Sequence, residues 1–97
     1  MNETPHAKDF EPHLATPFRV EQPISLELLL AGVQDQSNSS LEQFSLFFAG
    51  PQAPWLQQGT YILHHAALGE SELFLVPLGP KDGRMQYQSA FSRPRAR

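Results

Sequence analysis

Four histidines, a run of serines, ten acidic residues and six glycines are the residues of this 97-residue chain that could do chemistry, and their spacing decides which chemistries are open. His64 and His65 are adjacent in a stretch of β character, where neighbouring side chains point to opposite faces, so the pair does not share one metal ion. His6 and His13 are seven residues apart, about 10 Å along a helix and too far for one ion. No Asp or Glu stands at chelating spacing beside any of them. The expectation is structural: His65 caps the end of its strand and His64 faces solvent. The serines of residues 37–40 lie in a polar loop with no histidine nearby in sequence and no Gly-x-Ser-x-Gly elbow. Glycines 32, 50, 59, 69, 79 and 83 are scattered singly, without the clustering that cradles phosphate. Glu70 and Glu72 form a close pair of carboxylates, and at the start of a strand they read as solvated. There is no cysteine, which excludes disulfides, a thiolate nucleophile and a thiolate zinc site and fits a reducing compartment. The chain is expected not to be an enzyme and to carry no cofactor and no metal.

Seven basic against ten acidic residues give a net charge of −3, and Arg93, Arg95 and Arg97 hold three of the seven at the C-terminus. The body is therefore acidic and a poor partner for phosphate backbones, so nucleic acid is excluded. The arginine tail is expected to be solvated and dispensable for folding. The N-terminus lacks the basic start and apolar run of a signal peptide. The unbroken apolar stretches, such as residues 28–31, are far below the roughly 20 residues that span a bilayer, so no membrane insertion is expected. The origin reads as cytoplasmic, with the final location left open.

These residues must be positioned by six short stretches of β character: 16–20, 24–33, 41–49, 59–65, 72–78 and 84–91. In the second, Ile24, Leu26, Leu28 and Leu30 alternate with Ser25 and Glu27; in the third, Phe44, Leu46 and Phe48 alternate with Gln43 and Ser45. The fifth is apolar on both sides. Prolines 51 and 54 stop the third strand, and Asp82-Gly83 supplies the positive-φ pair that tight hairpins favour. Residues 7–14 form the one helical candidate, with Phe10 and Leu14 on one face and Pro12 interrupting, a segment that must pack on the sheet as a lid over an open end. The expectation is a single all-β domain over residues 1–97, six-stranded and mostly antiparallel, a barrel or a sandwich with the barrel favoured, and with flexible tails at 1–6 and 92–97.

Phe44, Phe48, Tyr61, Phe74, Tyr87 and Phe91 fall where core packing explains them. Phe47 and Leu29 are out of phase with the apolar residues of their own strands and should face outward, and Trp55 follows a double-proline loop where it either plugs an end or protrudes. Leu29, Phe47 and Trp55 are the candidate partner-binding residues. The alternative is that the N-terminal segment covers this strip through Phe10 and Leu14.

The order of these pieces resembles a family known as a domain of unknown function, DUF6916. The resemblance is carried by Phe10, His13, Leu14 and the run Thr16-Pro17-Phe18-Arg19-Val20, then Phe44-Ser45-Leu46-Phe47-Phe48-Ala49-Gly50-Pro51. It continues in Leu56-Gln57-Gln58-Gly59-Thr60-Tyr61, Leu63, His65, Leu68-Gly69, Leu73-Phe74-Leu75-Val76-Pro77-Leu78-Gly79-Pro80 and Tyr87-Gln88-Ser89-Ala90-Phe91. Ala66 departs from the proline expected after the histidine. The resemblance implies small bacterial proteins with a compact β fold and no known activity, companions of phage-tail-like fibre proteins. The expected function is a non-catalytic interaction or structural module, a subunit or assembly helper of such a fibre system, with a protein partner or self-association. The alternative is a carrier of a small apolar ligand in the barrel interior, which six strands packed with large side chains leave little room for.

Overall fold

The computed structural model describes residues 6–94. Six antiparallel strands, β1 (Pro17–Val20), β2 (Leu26–Asp35), β3 (Leu41–Gly50), β4 (Gly59–His65), β5 (Gly69–Lys81) and β6 (Arg84–Pro94), form one closed, barrel-like ring in the order β1-β2-β3-β6-β5-β4. The ring closes where Arg19 and Val20 of β1 pair with His64 and Leu63 of β4. Helix α1 (Ala7–Phe10) runs into a 3-10 turn at Glu11–His13, where Pro12 removes an amide donor. The all-β class and the short N-terminal helix agree with the sequence.

Alternation builds the core. Phe18 and Val20 of β1, Leu26, Leu28 and Leu30 of β2, and Phe44, Leu46 and Phe48 of β3 are buried, as are Leu63 of β4, Leu73 and Leu75 of β5, and Met85 and Tyr87 of β6. Ile24, Tyr61 and Phe91 pack against this core while remaining partly exposed. A register shift between Leu30 and Gly32 inserts an extra residue into β2, which reverses the phase and turns Val33 inward opposite Leu46. A second shift between Pro77 and Gly79 throws Leu78 outward. The hairpin between β5 and β6 turns on Asp82 and Gly83, both at positive φ (55° and 78°), as the Asp-Gly pair predicts.

Phe74 corrects the sequence reading. Its strand position suggests a core residue, but β5 is apolar on both sides and pattern gives no direction there; pairing of Thr60 with Phe74 and of Gly59 with Leu75 turns Leu73 and Leu75 in and Phe74 out. The tail drawn at 92–97 also begins too early. Ser92, Arg93 and Pro94 continue β6 opposite Gln43, Glu42 and Leu41, while residues 1–5 and 95–97 lie outside the described residues.

Four of the five connections between successive strands join neighbours in the ring. The fifth, residues 51–58, links β3 to β4, which stand on opposite sides, so this segment crosses one end of the ring. Leu56 is buried there and its amide donates to the Tyr87 hydroxyl at 2.8 Å. At the other end Phe10 packs with ring centroids 6.5 Å from Phe18 and 6.4 Å from both Phe44 and Phe91, and Phe44 and Phe91 stack at 4.5 Å. The N-terminal segment is thus the expected lid. It covers the interior and not the outer strip of Leu29 and Phe47. Among the described residues no helix is long and apolar enough to cross a membrane.

Two consequences are measurable by urea denaturation. Phe48→Ala, which empties a fully buried site, is expected to cost about 3–5 kcal/mol, whereas Phe74→Ala at the surface stays within about 0.5 kcal/mol. Equal losses at the two positions would contradict the inward and outward assignment. Tyr87→Phe leaves the Leu56 amide without its acceptor and is expected to cost about 1–3 kcal/mol; an unchanged midpoint would mean the crossing segment does not depend on that bond.

Candidate functional site

His65 ends β4 on the inner side, where alternation buries it. Its Nδ1 accepts the amides of Ala67 and Leu68 at 3.0 and 3.1 Å, which places its proton on Nε2, 2.9 Å from Thr16 Oγ1. The Thr16 hydroxyl in turn donates to the His13 carbonyl. The imidazole therefore closes the β4–β5 turn and ties it to the N-terminal segment. The strand-capping role expected from the sequence is what the geometry gives, with Thr16 as a partner that spacing did not reveal. Both ring nitrogens are engaged, so neither is free to act as a base or ligand. Burial, and secondarily the neighbouring His13 imidazole, whose ring centre lies 4.6 Å away, hold the His65 pKa below its ordinary value.

A second cluster clamps the chain ends. Arg93 Nε donates to Glu42 Oε1 at 2.8 Å, and His6 Nδ1 lies 2.6 Å from Glu42 Oε2. The hydrogen bond from Arg93, then that from His6, holds the Glu42 carboxyl below the usual carboxylate range. Arg93 is thus part of the folded body.

His64 points outward from β4 and is half-buried. Its Nε2 is 3.6 Å from Glu21 Oε1 and its Nδ1 is 3.5 Å from Glu70 Oε2. The sequence reading found no carboxylate beside it; strand pairing supplies both, Glu70 directly across the β4–β5 ladder and Glu21 just past the end of β1. These residues, with Tyr61 and Ile62, line a shallow groove of about 370 Å³. Among the described residues no three His, Asp or Glu converge to hold a metal ion.

Leu29 and Phe47 do face outward on neighbouring strands, yet each is half-buried. Phe47 lies over the bare backbone of Gly32, 3.8 Å from where a Cβ would stand, and opposite Gln88 on its other side. Trp55 protrudes and its neighbour Leu56 is the plug. The structure brings Leu29 and Phe47 together and places Trp55 on the crossing connection. The most exposed large apolar side chains on the strands are others: Ile62 at 50 %, Phe74 at 48 % and Leu78 at 52 %. Ile62 pairs with Glu72 and Phe74 with Thr60, so Ile62 and Phe74 are diagonal neighbours on one outer face. Val76 follows on the same face of β5 and faces Gln88, which in turn faces Phe47. The apolar row thus runs from β4 across β5 to the rim of the predicted strip. Ile62 could have been found by the test that singled out Leu29 and Phe47, because it is out of phase with Tyr61 and Leu63.

A family model described as Domain of unknown function (DUF6916) matches residues 5–91, most of the chain. Comparison with curated proteins and with solved structures returned no match in either case.

The depressed pKa of His65 carries a sign. Its neutral form is favoured by the fold, so its contribution is complete above its ordinary value of 6.5 and is lost as pH falls below that value. Glu42, also depressed, contributes above 4.5 and is lost below it. Denaturation midpoints are expected to fall in two stages on acidification, and His65→Asn to flatten the upper stage while Glu42→Gln flattens the lower. A wild-type midpoint constant down to about pH 5 would contradict the role assigned to His65.

Proposed function

Because this chain belongs to the DUF6916 family, whose description assigns no activity, we propose from its surface that it is a non-catalytic interaction or structural module. The observation that supports this most is the pair of exposed side chains Ile62 and Phe74 with half-buried Val76 beside them, separated from Phe47 by Gln88. Contiguous apolar area on the wall of a folded domain is the usual mark of a surface that another molecule covers. A role as subunit or assembly helper of a phage-tail-like fibre system, with a bacterial origin, rests on the family likeness alone, and a cytoplasmic origin on the cysteine-free, weakly apolar composition. The carrier reading has less support. Tyr87, Phe18, Phe48 and the core leucines occupy the interior, and Phe10 and Leu56 stand at its two ends.

The test compares retained proteins and sedimentation behaviour of the wild type with those of Phe74→Ser, Phe47→Ser and Trp55→Ser. Phe74→Ser is expected to weaken association by about 2 kcal/mol or more, roughly thirtyfold, with its melting temperature nearly unchanged. If all three variants kept every partner and the same oligomeric state, the interaction reading would be lost.

A further inference from the structure

We propose that the outer face of β4 and β5 binds an extended segment of a protein partner in which two basic side chains, two residues apart, precede apolar ones at the same spacing. This rests on the interaction reading and names the chemistry of the partner. The outward residues of β5 are Glu70, Glu72, Phe74 and Val76, opposite or diagonal to His64, Ile62 and Thr60 of β4. Alternate residues of an extended chain repeat every ~6.8 Å, so a segment lying along β5 presents its own alternate side chains in register with this series. Its first two positions meet carboxylates and its next two meet the exposed ring of Phe74 and Val76, with Ile62 beside them.

Charge decides the identity of those first positions. Glu21, Glu70 and Glu72 surround this end of the face, and the cation ion-paired there is Arg19, whose guanidinium is 2.9 Å from Glu21 Oε2. The contacts from His64 to Glu21 and Glu70, at 3.6 and 3.5 Å, are longer than ordinary N–H···O bonds. The carboxylates therefore retain acceptor capacity toward a lysine or arginine entering the groove between them. A second copy presenting the same face would set these carboxylates against carboxylates or against apolar side chains, according to its orientation, which disfavours a symmetric pairing and favours a basic partner.

The probe is a capped heptapeptide, Lys-Thr-Lys-Thr-Leu-Thr-Leu, titrated into isotope-labelled protein and followed by amide chemical shifts, beside a control with both lysines replaced by glutamate. The lysine peptide is expected to shift the amides of residues 60–64 and 70–76, to weaken at least tenfold in Glu21→Gln/Glu70→Gln, and to weaken with added salt. The control peptide is expected to leave those amides in place. Equal binding of the two peptides, shifts centred elsewhere, no shift at millimolar peptide, or undiminished binding to the double variant would each overturn the proposal. If Phe74→Ser loses a partner that Glu21→Gln/Glu70→Gln keeps, the interaction reading stands and this inference alone fails.

Discussion

The Tyr87 hydroxyl accepting the Leu56 amide is the contact that lets the chain cross from β3 to β4 over one end of the closed ring. Any chain that crosses the mouth of an apolar interior carries backbone amides into it, and an amide left there without a partner is costly. The crossing is unavoidable here because β3 and β4 occupy opposite sides of the ring. One buried phenol on β6 lets the chain satisfy that amide while lowering Leu56 into the core, and burial accordingly raises the phenol's pKa. The apolar body of Tyr87 fills the interior and its polar tip serves the lid.

The opposite end is closed by different chemistry with the same result. Phe10 supplies the apolar cover, and the polar groups around it are disposed of in two clusters, His65 with Thr16 and Glu42 with Arg93 and His6. Each joins the N-terminal segment to a distant strand. This end is therefore more sensitive to acid than the plug, because the β4–β5 turn depends on a neutral His65 and the N-terminal clamp on an ionised Glu42, whereas the phenol at the other end does not titrate in that range.

The period of two in β2 and β3 was legible because one face of each strand is apolar and the other is not, and Leu26, Leu28, Phe44, Leu46 and Phe48 are buried as that pattern predicts. Where both faces are apolar, as in β5, pattern gives no direction, and Phe74 went to the wrong side until cross-strand register settled it. The bulge in β2 was invisible for a related reason: nothing local marks an extra residue whose only effect is to reverse the phase at Val33. Contacts between segments were the least legible. That His64 lies between Glu21 and Glu70 depends on β1 pairing with β4 across more than forty residues, a consequence of ring closure that no spacing rule reports. The capping role of His65 was readable because it is local, resting on the turn that follows its own strand.

With the interior filled and both ends closed, the outer wall is where chemical variety remains, and its two halves are unlike. Around Phe47 the apolar residues lean on a glycine and a glutamine and are half covered by their own sheet. Around Phe74, itself exposed like Ile62, the neighbouring outward residue of β5 is Glu72, with Glu70 one position beyond. Exposed apolar side chains promote indiscriminate association unless something repels the wrong neighbours, and a border of like charge does so for copies of the same protein. On the interaction reading proposed above, a border of this charge attracts an oppositely charged segment, and electrostatic attraction acts during encounter, before apolar contacts form. On the same reading, the carboxylates on this face have two consequences that a neutral border would lack: they disfavour pairing of like faces, and they favour partners of opposite charge.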